Sequence, residues 1–198
     1  MTATRNPSDR QRAHGRGVVL VPSDPLWPER YEEAAALIRQ ACGALLVELE
    51  HVGSTSIPGI AAKPYLDLMP GVATHEDGFR LIPPMESIGY QSRGDLGIPG
   101  RHYFTKIIEG DDHVWKHNVH AYATDHIEWA RHLVFRDALR ASDTLRDEYE
   151  ALKRRLAAQF PDDVDSYAEA KSELVERIIA AHGGPPRPSD FPPPPPRG

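Results

Sequence analysis

The apolar residues between positions 24 and 43 recur at the spacing of one helix face. In DPLWPERYEEAAALIRQACG the residues that share this face are Tyr31, Ala34, Ala35, Ile38 and Cys42. Pro28 falls in the first turn, where a helix tolerates proline, and Gly43 suits a helix end. The pattern therefore predicts an amphipathic helix with Cys42, the single cysteine of the chain, in the core.

Two short extended runs follow this helix. ALLVELEHV and PYLDLMPGV are typical of β-strands, and the segment between them is polar and contains glycine. Because side chains alternate along a strand, Tyr65, Asp67 and Met69 should share one face. THEDGFRLIPPMESIGY then predicts a weaker helix interrupted by Pro83 and Pro84, and RHYFTKIIEGDDHVWKHNVHAYA predicts a β-hairpin that turns at residues 110–112.

From Asp125 onward the pattern is helical in three segments, each beginning near an aspartate that can cap it. In the second segment one apolar stripe is formed by Leu145, Tyr149, Leu152 and Leu156. We expect Lys153, Arg154 and Arg155 to lie mainly on the solvated face, where they can pair with Glu148 and Glu150. The sequence therefore predicts an α+β fold, with a mixed or antiparallel sheet packed by helices and a helical C-terminal half.

Length and composition define the domain organisation. The 198 residues fit one domain, which we assign to residues 18–182. We expect disorder in the polar residues 1–17 and in the proline-rich residues 183–198, a tail that can also serve as a ligand for a protein partner. The absence of a secretory leader pattern and of any long apolar run predicts a cytoplasmic protein with no membrane span.

The charge balance narrows the class of partner. The formal net charge of −6 argues against nucleic acid, because a surface that neutralises phosphates usually shows a basic excess. A small molecule or a peptide is the better expectation for a second substrate.

The strand that ends in HVGSTSIPG carries the clearest candidate chemistry. Glycine at position 53 allows a ligand to approach the backbone closely, and the following turn offers amide groups and the Ser54 hydroxyl. Such a turn suits anionic oxygens. A nearby Asp67 would suit Mg²⁺, which bridges one or two carboxylates to substrate phosphates. Taken alone, the spacing modestly favours an ordinary turn and a structural aspartate over a phosphate and metal site.

The ordered run HVGSTSIPGIAAKPYLD, preceded by DPLWPERYEEAAALI, resembles the GrpB family, whose members are similar to the nucleotidyltransferase superfamily. The later segments FRDALRAS, YEALKRRLA and YAEAKSELVERI extend the resemblance over about residues 18–181. It implies a nucleotidyltransferase-like fold in which a Gly-Ser turn holds nucleotide phosphate and the next strand supplies two carboxylates for metal. Gly53, Ser54 and Asp67 match that layout, whereas Met69 stands at the second carboxylate position and is a poor ligand for Mg²⁺.

The resemblance also supplies the remaining site residues. His120, in HNVHAYA, stands where many transferases carry a third carboxylate, so Asp67 and His120 are the predicted metal ligands and catalytic residues. Thr55, Lys63, Arg136 and Lys171 join Gly53 and Ser54 as predicted nucleotide- or phosphate-binding residues. Lys153, in ALKRRLA, also stands at a matching family position and is a further candidate for phosphate, although its charge run favours the solvated helix face.

The leading functional hypothesis is a transferase that binds a nucleoside triphosphate with Mg²⁺ and transfers a nucleotidyl group to a small-molecule or peptide acceptor. A second hypothesis is a non-catalytic module that keeps an anion-binding pocket and acts through a protein partner, a reading favoured by Met69. A third is an ATP-dependent ligase that forms amides through an adenylate at the same site.

Overall fold

The computed structural model describes residues 17–109 and 114–188. The helices are α1 (Trp27–Cys42), α2 (His75–Arg80), α3 (Ile82–Ser87), α4 (Ile127–Ala141), α5 (Asp143–Gln159), α6 (Val164–Glu169) and α7 (Ser172–Ala181). The strands are β1 (Glu48–Val52), β2 (Tyr65–Val72), β3 (Gln91–Ser92), β4 (His102–Glu109) and β5 (Val114–Ala123). A short 3-10 turn, Ser54–Ser56, follows β1.

The five strands form one mixed sheet in the order β1-β2-β5-β4-β3. Strand β2 pairs with β5 in parallel, and the other neighbours are antiparallel. The predicted α+β fold and mixed sheet are confirmed. The antiparallel pairing of β4 with β5 also confirms the hairpin, while its predicted turn at residues 110–112 lies outside the described residues.

The two faces of the sheet are covered by different helices. On one face, α1 to α3 bury an apolar core that includes Ile38, Leu68, Met85, Phe104 and Val119. On the other face, Met69 and Tyr122 pack with Trp129 and Leu133 of α4. Because side chains alternate along β2, Asp67 projects to the α4 side of the sheet.

The loop between β1 and β2 is fixed by the C-terminal helices. Ile57 and Ile60 of this loop pack against Leu139 of α4, Tyr149 of α5 and Ile178 of α7. The helical half therefore holds the Gly53–Ser54 turn against the end of the sheet. This packing brings distant sequence segments beside Asp67.

The last of the three helical segments predicted after Asp125 divides into two helices, α6 and α7, with Lys171 at the junction. The two halves serve different cores, since Tyr167 packs with Val18 and Leu156 whereas Leu174 and Ile178 pack under the loop. The helix that was predicted to be interrupted by Pro83 and Pro84 corresponds to α2 and α3. The break between them falls at Leu81, and the two prolines lie in the first turn of α3. The side chains that cap α4, α5 and α6 come from His126, Ser142 and Asp163, so an aspartate caps only the last of these three.

The described part of the chain extends slightly beyond the predicted domain. Pro185 accepts a hydrogen bond from Arg131 Nη1 at 2.7 Å, so the chain that follows α7 contacts α4 at this residue. The rest of the two predicted disordered ends, residues 1–16 and 189–198, lies outside the described residues. Among the helices described, none combines the length and apolar character that a membrane crossing requires.

Candidate functional site

Asp67 lies at the centre of the candidate site, on β2 between Val52 of β1 and Asn118 of β5. Asn118 Nδ2 donates to Asp67 Oδ1 at 3.0 Å, and His120 Nε2 lies 3.4 Å from the same oxygen. Tyr103 Oη in turn donates to Asn118 Oδ1 at 2.8 Å. The chain from Tyr103 through Asn118 fixes the orientation of the carboxylate.

The other carboxylate oxygen of Asp67 faces the turn after β1. A Cβ atom built on Gly53 would lie 2.2 Å from Asp67 Oδ2, and Gly53 has a φ of 69°. Both facts require glycine at this position. The turn and the aspartate, which are separated in sequence by a loop, therefore touch.

Burial and hydrogen bonding act in opposite directions on Asp67. Burial alone would raise the pKa of the carboxyl, but the hydrogen bond and charge of His120, the hydrogen bond from Asn118 and the charge of Lys63 hold it below its usual range. Burial lowers the pKa of His120 to about 4, in spite of the nearby Asp67. At neutral pH we therefore assign an ionised Asp67 and a neutral His120.

The hydrogen bonding of His120 defines its neutral form. A carboxylate only accepts hydrogen bonds, so His120 Nε2 carries the proton that faces Asp67. Its Nδ1 is buried and has no hydrogen-bond partner among the described residues. His120 thus supports the orientation of Asp67.

The turn that follows Gly53 is held by its own side chains. Ser56 Oγ donates to the Gly53 carbonyl at 2.6 Å. Thr55 Oγ1 donates to the Tyr65 carbonyl at 3.0 Å and lies 3.1 Å from His51 Nε2, which donates to it. Thr55 therefore fastens the turn to β2. Ser54 is placed differently, with its Oγ 3.4 Å from Tyr149 Oη of α5.

Three lysines gather over three tyrosine rings next to this turn, and we call them the lysine–tyrosine cluster: Lys63, Lys153 and Lys171 with Tyr65, Tyr149 and Tyr167. Lys63 Nζ lies 4.7 Å from the ring centre of Tyr65 and 5.5 Å from that of Tyr167. Lys171 Nζ lies 4.3 Å from the Tyr167 ring centre. Lys153 Nζ lies 4.9 Å from the Tyr149 ring centre. Each distance fits a cation–π contact.

Lys153 was predicted to lie on the solvated face of its helix, and this prediction is wrong. Its side chain is buried, with 1% of the residue exposed, and Nζ donates to the Ala61 carbonyl. Arg154 does occupy the outer face and pairs with Glu150, as expected. The sequence contained the signal, because position 153 comes four residues after Tyr149 and three before Leu156, both on the buried stripe.

Arg136 lies in a different environment from the lysines. Its Nη1 donates to Glu50 Oε2 at 2.5 Å and to the His51 carbonyl at 3.1 Å, and its Nε donates to Asp137 Oδ1 at 2.8 Å. Glu50 and Asp137 thus neutralise this guanidinium within the fold. The predicted phosphate contact of Arg136 is not tested by this geometry, but its Nη1 and Nε atoms already have acceptors within the fold.

The structure brings together a subset of the predicted residues: Gly53, Ser54, Lys63, Asp67, His120 and Lys171. The position of the missing carboxylate, Met69, is fully buried against Tyr122 and Trp129. Among the described residues, no three His, Cys, Asp or Glu side chains converge in a way that would hold a metal ion. Asp67, whose side chain is 24% exposed, remains suited to a cation that takes its other ligands from water and phosphate.

The sequence of this chain is similar to one protein family and to several known proteins. The family described as "GrpB protein" matches residues 17–181. UPF0157 protein BH1888 of Halalkalibacterium halodurans is 36% identical over 169 residues, covering 85% of this chain and 84% of that protein. UPF0157 protein YqkA of Bacillus subtilis is 36% identical over 161 residues, covering 81% of this chain; the chain spans 46% of the length of YqkA.

A solved structure is similar to this fold as well. The crystal structure of the conserved protein GrpB from Enterococcus faecalis aligns with a TM-score of 0.73 and 34% sequence identity, covering 83% of this chain and 96% of that chain.

Proposed function

Because the chain belongs to the GrpB family, we propose that it binds a nucleoside triphosphate with Mg²⁺ and transfers a nucleotidyl group to a small-molecule or peptide acceptor. The observation that carries the proposal is the contact of Asp67 with the Gly53 turn, beside a cluster of three lysines. A carboxylate next to concentrated positive charge is the arrangement that a metal-bound phosphate chain requires.

The phosphate chain of the nucleotide would lie against the lysine–tyrosine cluster. Ser54 and the turn amides offer donors at one end, and Lys63 and Lys171 offer charge at the other. Neither Lys153 nor Lys171 forms an ion pair with a carboxylate within residues 17–109 and 114–188. An anionic ligand would supply the missing negative charge.

Asp67 would be the protein ligand of the metal, with the remaining ligands from water and phosphate oxygens. Bound Mg²⁺ would neutralise charge on the phosphates. Because a base with a pKa of about 4 is weak at neutral pH, we assign His120 to orienting Asp67. His120 as a second metal ligand stays a prediction.

In the proposed reaction, a nucleophilic atom of the acceptor forms a bond to the α-phosphorus. The bond from that phosphorus to the bridging oxygen breaks, and pyrophosphate leaves with the electron pair. The acceptor loses its proton to solvent. Lys63, Lys153 and Lys171 would stabilise the negative charge that develops on the leaving pyrophosphate.

A specific observation favours a second candidate function, a non-catalytic module that binds a nucleotide or another anion. Met69 is packed in an apolar cluster and cannot act as the second carboxylate of a two-metal site. Release of pyrophosphate from ATP in the presence of candidate acceptors separates the two functions, since a binding module would release none.

Calorimetric titration with ATP, GTP and CTP, with and without Mg²⁺, tests the proposal. We expect at least one nucleotide to bind, and to bind more tightly when Mg²⁺ is present. Asp67→Asn, which keeps the size of the side chain, should remove the effect of Mg²⁺ while the lysines still bind phosphate. The proposal would be overturned if folded protein bound no nucleotide, or if Asp67→Asn kept the full effect of Mg²⁺.

A further inference from the structure

Lys153 is a buried cationic side chain placed within the proposed phosphate site. It projects from the inner face of α5 toward the β1–β2 loop, where Nζ donates to the Ala61 carbonyl. Its ammonium lies over the ring of Tyr149, whose hydroxyl is 3.4 Å from Ser54 Oγ. Tyr149 therefore connects Lys153 directly to the turn that would hold phosphate.

The groups that face Lys153 do not compensate its charge. Lys171, at the junction of α6 and α7, adds positive charge, and so does Arg154 on the same helix. Among the described residues, the acid whose charge acts on Lys153 is Glu150, which is held in an ion pair with Arg154. From the loop, the carbonyl of Ala61 accepts the hydrogen bond of Nζ. Burial raises the pKa of Tyr167, so its ring carries no charge at neutral pH.

An ammonium group in this position is costly without a nearby negative charge. Burial removes water from Nζ, and Lys171 repels a second positive charge. These effects, burial first, lower the pKa of Lys153 to about 7. A neutral amine can still donate its hydrogen bond to Ala61, so the free protein tolerates loss of the proton without an unsatisfied group.

Building on the proposed phosphate site, we infer that Lys153 is a proton-coupled anion receptor, whose amine takes up one proton from solvent when a phosphate chain binds beside Lys171. The reaction is simple: the amine plus one solvent proton becomes an ammonium ion, and the proton returns to solvent when the ligand leaves. The bound anion supplies the negative charge that offsets both burial and the repulsion from Lys171.

This coupling makes nucleotide affinity depend on pH. When binding takes up a proton, affinity falls as pH rises, by as much as about tenfold per pH unit once the free amine is mostly neutral.

Calorimetry in buffers with different ionisation enthalpies measures the proton directly. The full-length protein is titrated with Mg-ATP at about pH 8, where the polyphosphate of the probe is fully ionised and an amine of pKa about 7 is mostly neutral. We expect the observed heat to vary with the buffer in proportion to the uptake of close to one proton per ATP bound.

Two variants assign the proton to its residue. Lys153→Met should bind ATP more weakly and with a heat that no longer depends on the buffer. Arg155→Met removes an exposed cation from the outer face of the same helix and should retain the uptake. If Lys153→Met does not fold, the wild-type measurement still tests the inference, because a heat that is the same in every buffer would overturn it.

The possible failures are distinguishable. ATP binding by the wild type with the same heat in every buffer overturns this inference alone and leaves the proposed function standing. Full proton uptake by folded Lys153→Met also overturns it. If the wild type binds no ATP, the proposed function fails and the inference fails with it.

Discussion

Arg136 and the lysine–tyrosine cluster show two ways in which this fold holds buried positive charge. Arg136 is surrounded by negative groups, with carboxylates of Glu50 and Asp137 at hydrogen-bonding distance. Lys153 and Lys171 lie over tyrosine rings instead, without ion pairs in the described parts of the chain. The first arrangement is complete within the protein, whereas the second leaves positive charge for a ligand to neutralise.

The contrast is informative because acids are plentiful in this chain. With a net charge of −6 there is no shortage of carboxylates, and several pair with arginines on outer helix faces. Within the described residues, Asp67 acts on the cluster through the charge of Lys63, whereas Glu150, which acts on Lys153, is already paired with Arg154. We therefore expect that removing the charge of Arg136 lowers stability more than ligand binding. Removing the charge of a lysine in the cluster should lower ligand binding more than stability.

The largest effect on stability is expected for Arg136→Met. The change leaves Glu50 and the His51 carbonyl without their donor, in a place where the arginine side chain is only 10% exposed. Because Glu50 and Asp137 can recover some hydration, we expect a loss of about 2 kcal/mol in the free energy of unfolding. Urea denaturation measures it, and an unchanged midpoint would show that the pairs contribute nothing.

Lys171→Met should affect binding and leave stability nearly unchanged. A hydrogen bond between charged groups contributes about 1.5–3 kcal/mol, so affinity for Mg-ATP should fall by tenfold or more. The unfolding midpoint should stay close to that of the wild type, since no carboxylate loses a partner. Loss of stability with unchanged affinity would contradict the distinction between the two regions.

Lys153→Met should change how stability depends on pH. The folded protein binds the Lys153 proton less tightly than the unfolded chain, so the contribution of Lys153 to stability is least favourable below pH 7 and becomes more favourable up to about pH 10. Methionine removes this titration. The variant should therefore be more stable than the wild type at pH 6, with a gain that shrinks by at most about 1.4 kcal/mol per pH unit above pH 7. A constant difference across this range would show that Lys153 is charged throughout.

The smallest effect is expected for Arg154→Gln, on the outer face of the same helix. Its side chain is 62% exposed and pairs with Glu150. Exposed pairs of this kind contribute between zero and about 1 kcal/mol, so stability and ATP affinity should both stay near wild-type values. A tenfold loss of affinity would extend the phosphate site to the outer surface of α5.

Local patterns were sufficient to predict most elements of the fold. The helix over residues 27–42, the two strands around the turn and the hairpin all follow from periodicity and turn residues. The division of the last helix at Lys171 was missed, because it depends on Tyr167 and Leu174 packing into separate clusters. That information lies in tertiary packing and not in the local pattern.

Only part of the candidate site could be predicted from the sequence. The family motif led to Gly53, Ser54 and Asp67, but the contact between Gly53 and Asp67 depends on how β1 and β2 pair. Asn118 lies two positions before His120 on β5, and its hydrogen bonds to Asp67 and Tyr103 depend on the register of β2, β5 and β4. The ion pair of Arg136 with Glu50 could not be predicted either, because the two residues are 86 positions apart along the chain.

The central claim is that the lysine–tyrosine cluster beside Asp67 is the phosphate site, and parallel Mg-ATP titrations test it most directly. Wild type, Lys171→Met and Arg136→Met are compared at a low temperature where circular dichroism shows all three to be folded. The account predicts that Lys171→Met binds at least tenfold more weakly and that Arg136→Met stays within about twofold of the wild type. Normal binding by Lys171→Met together with its loss in Arg136→Met would contradict the account and place the phosphates beside α4.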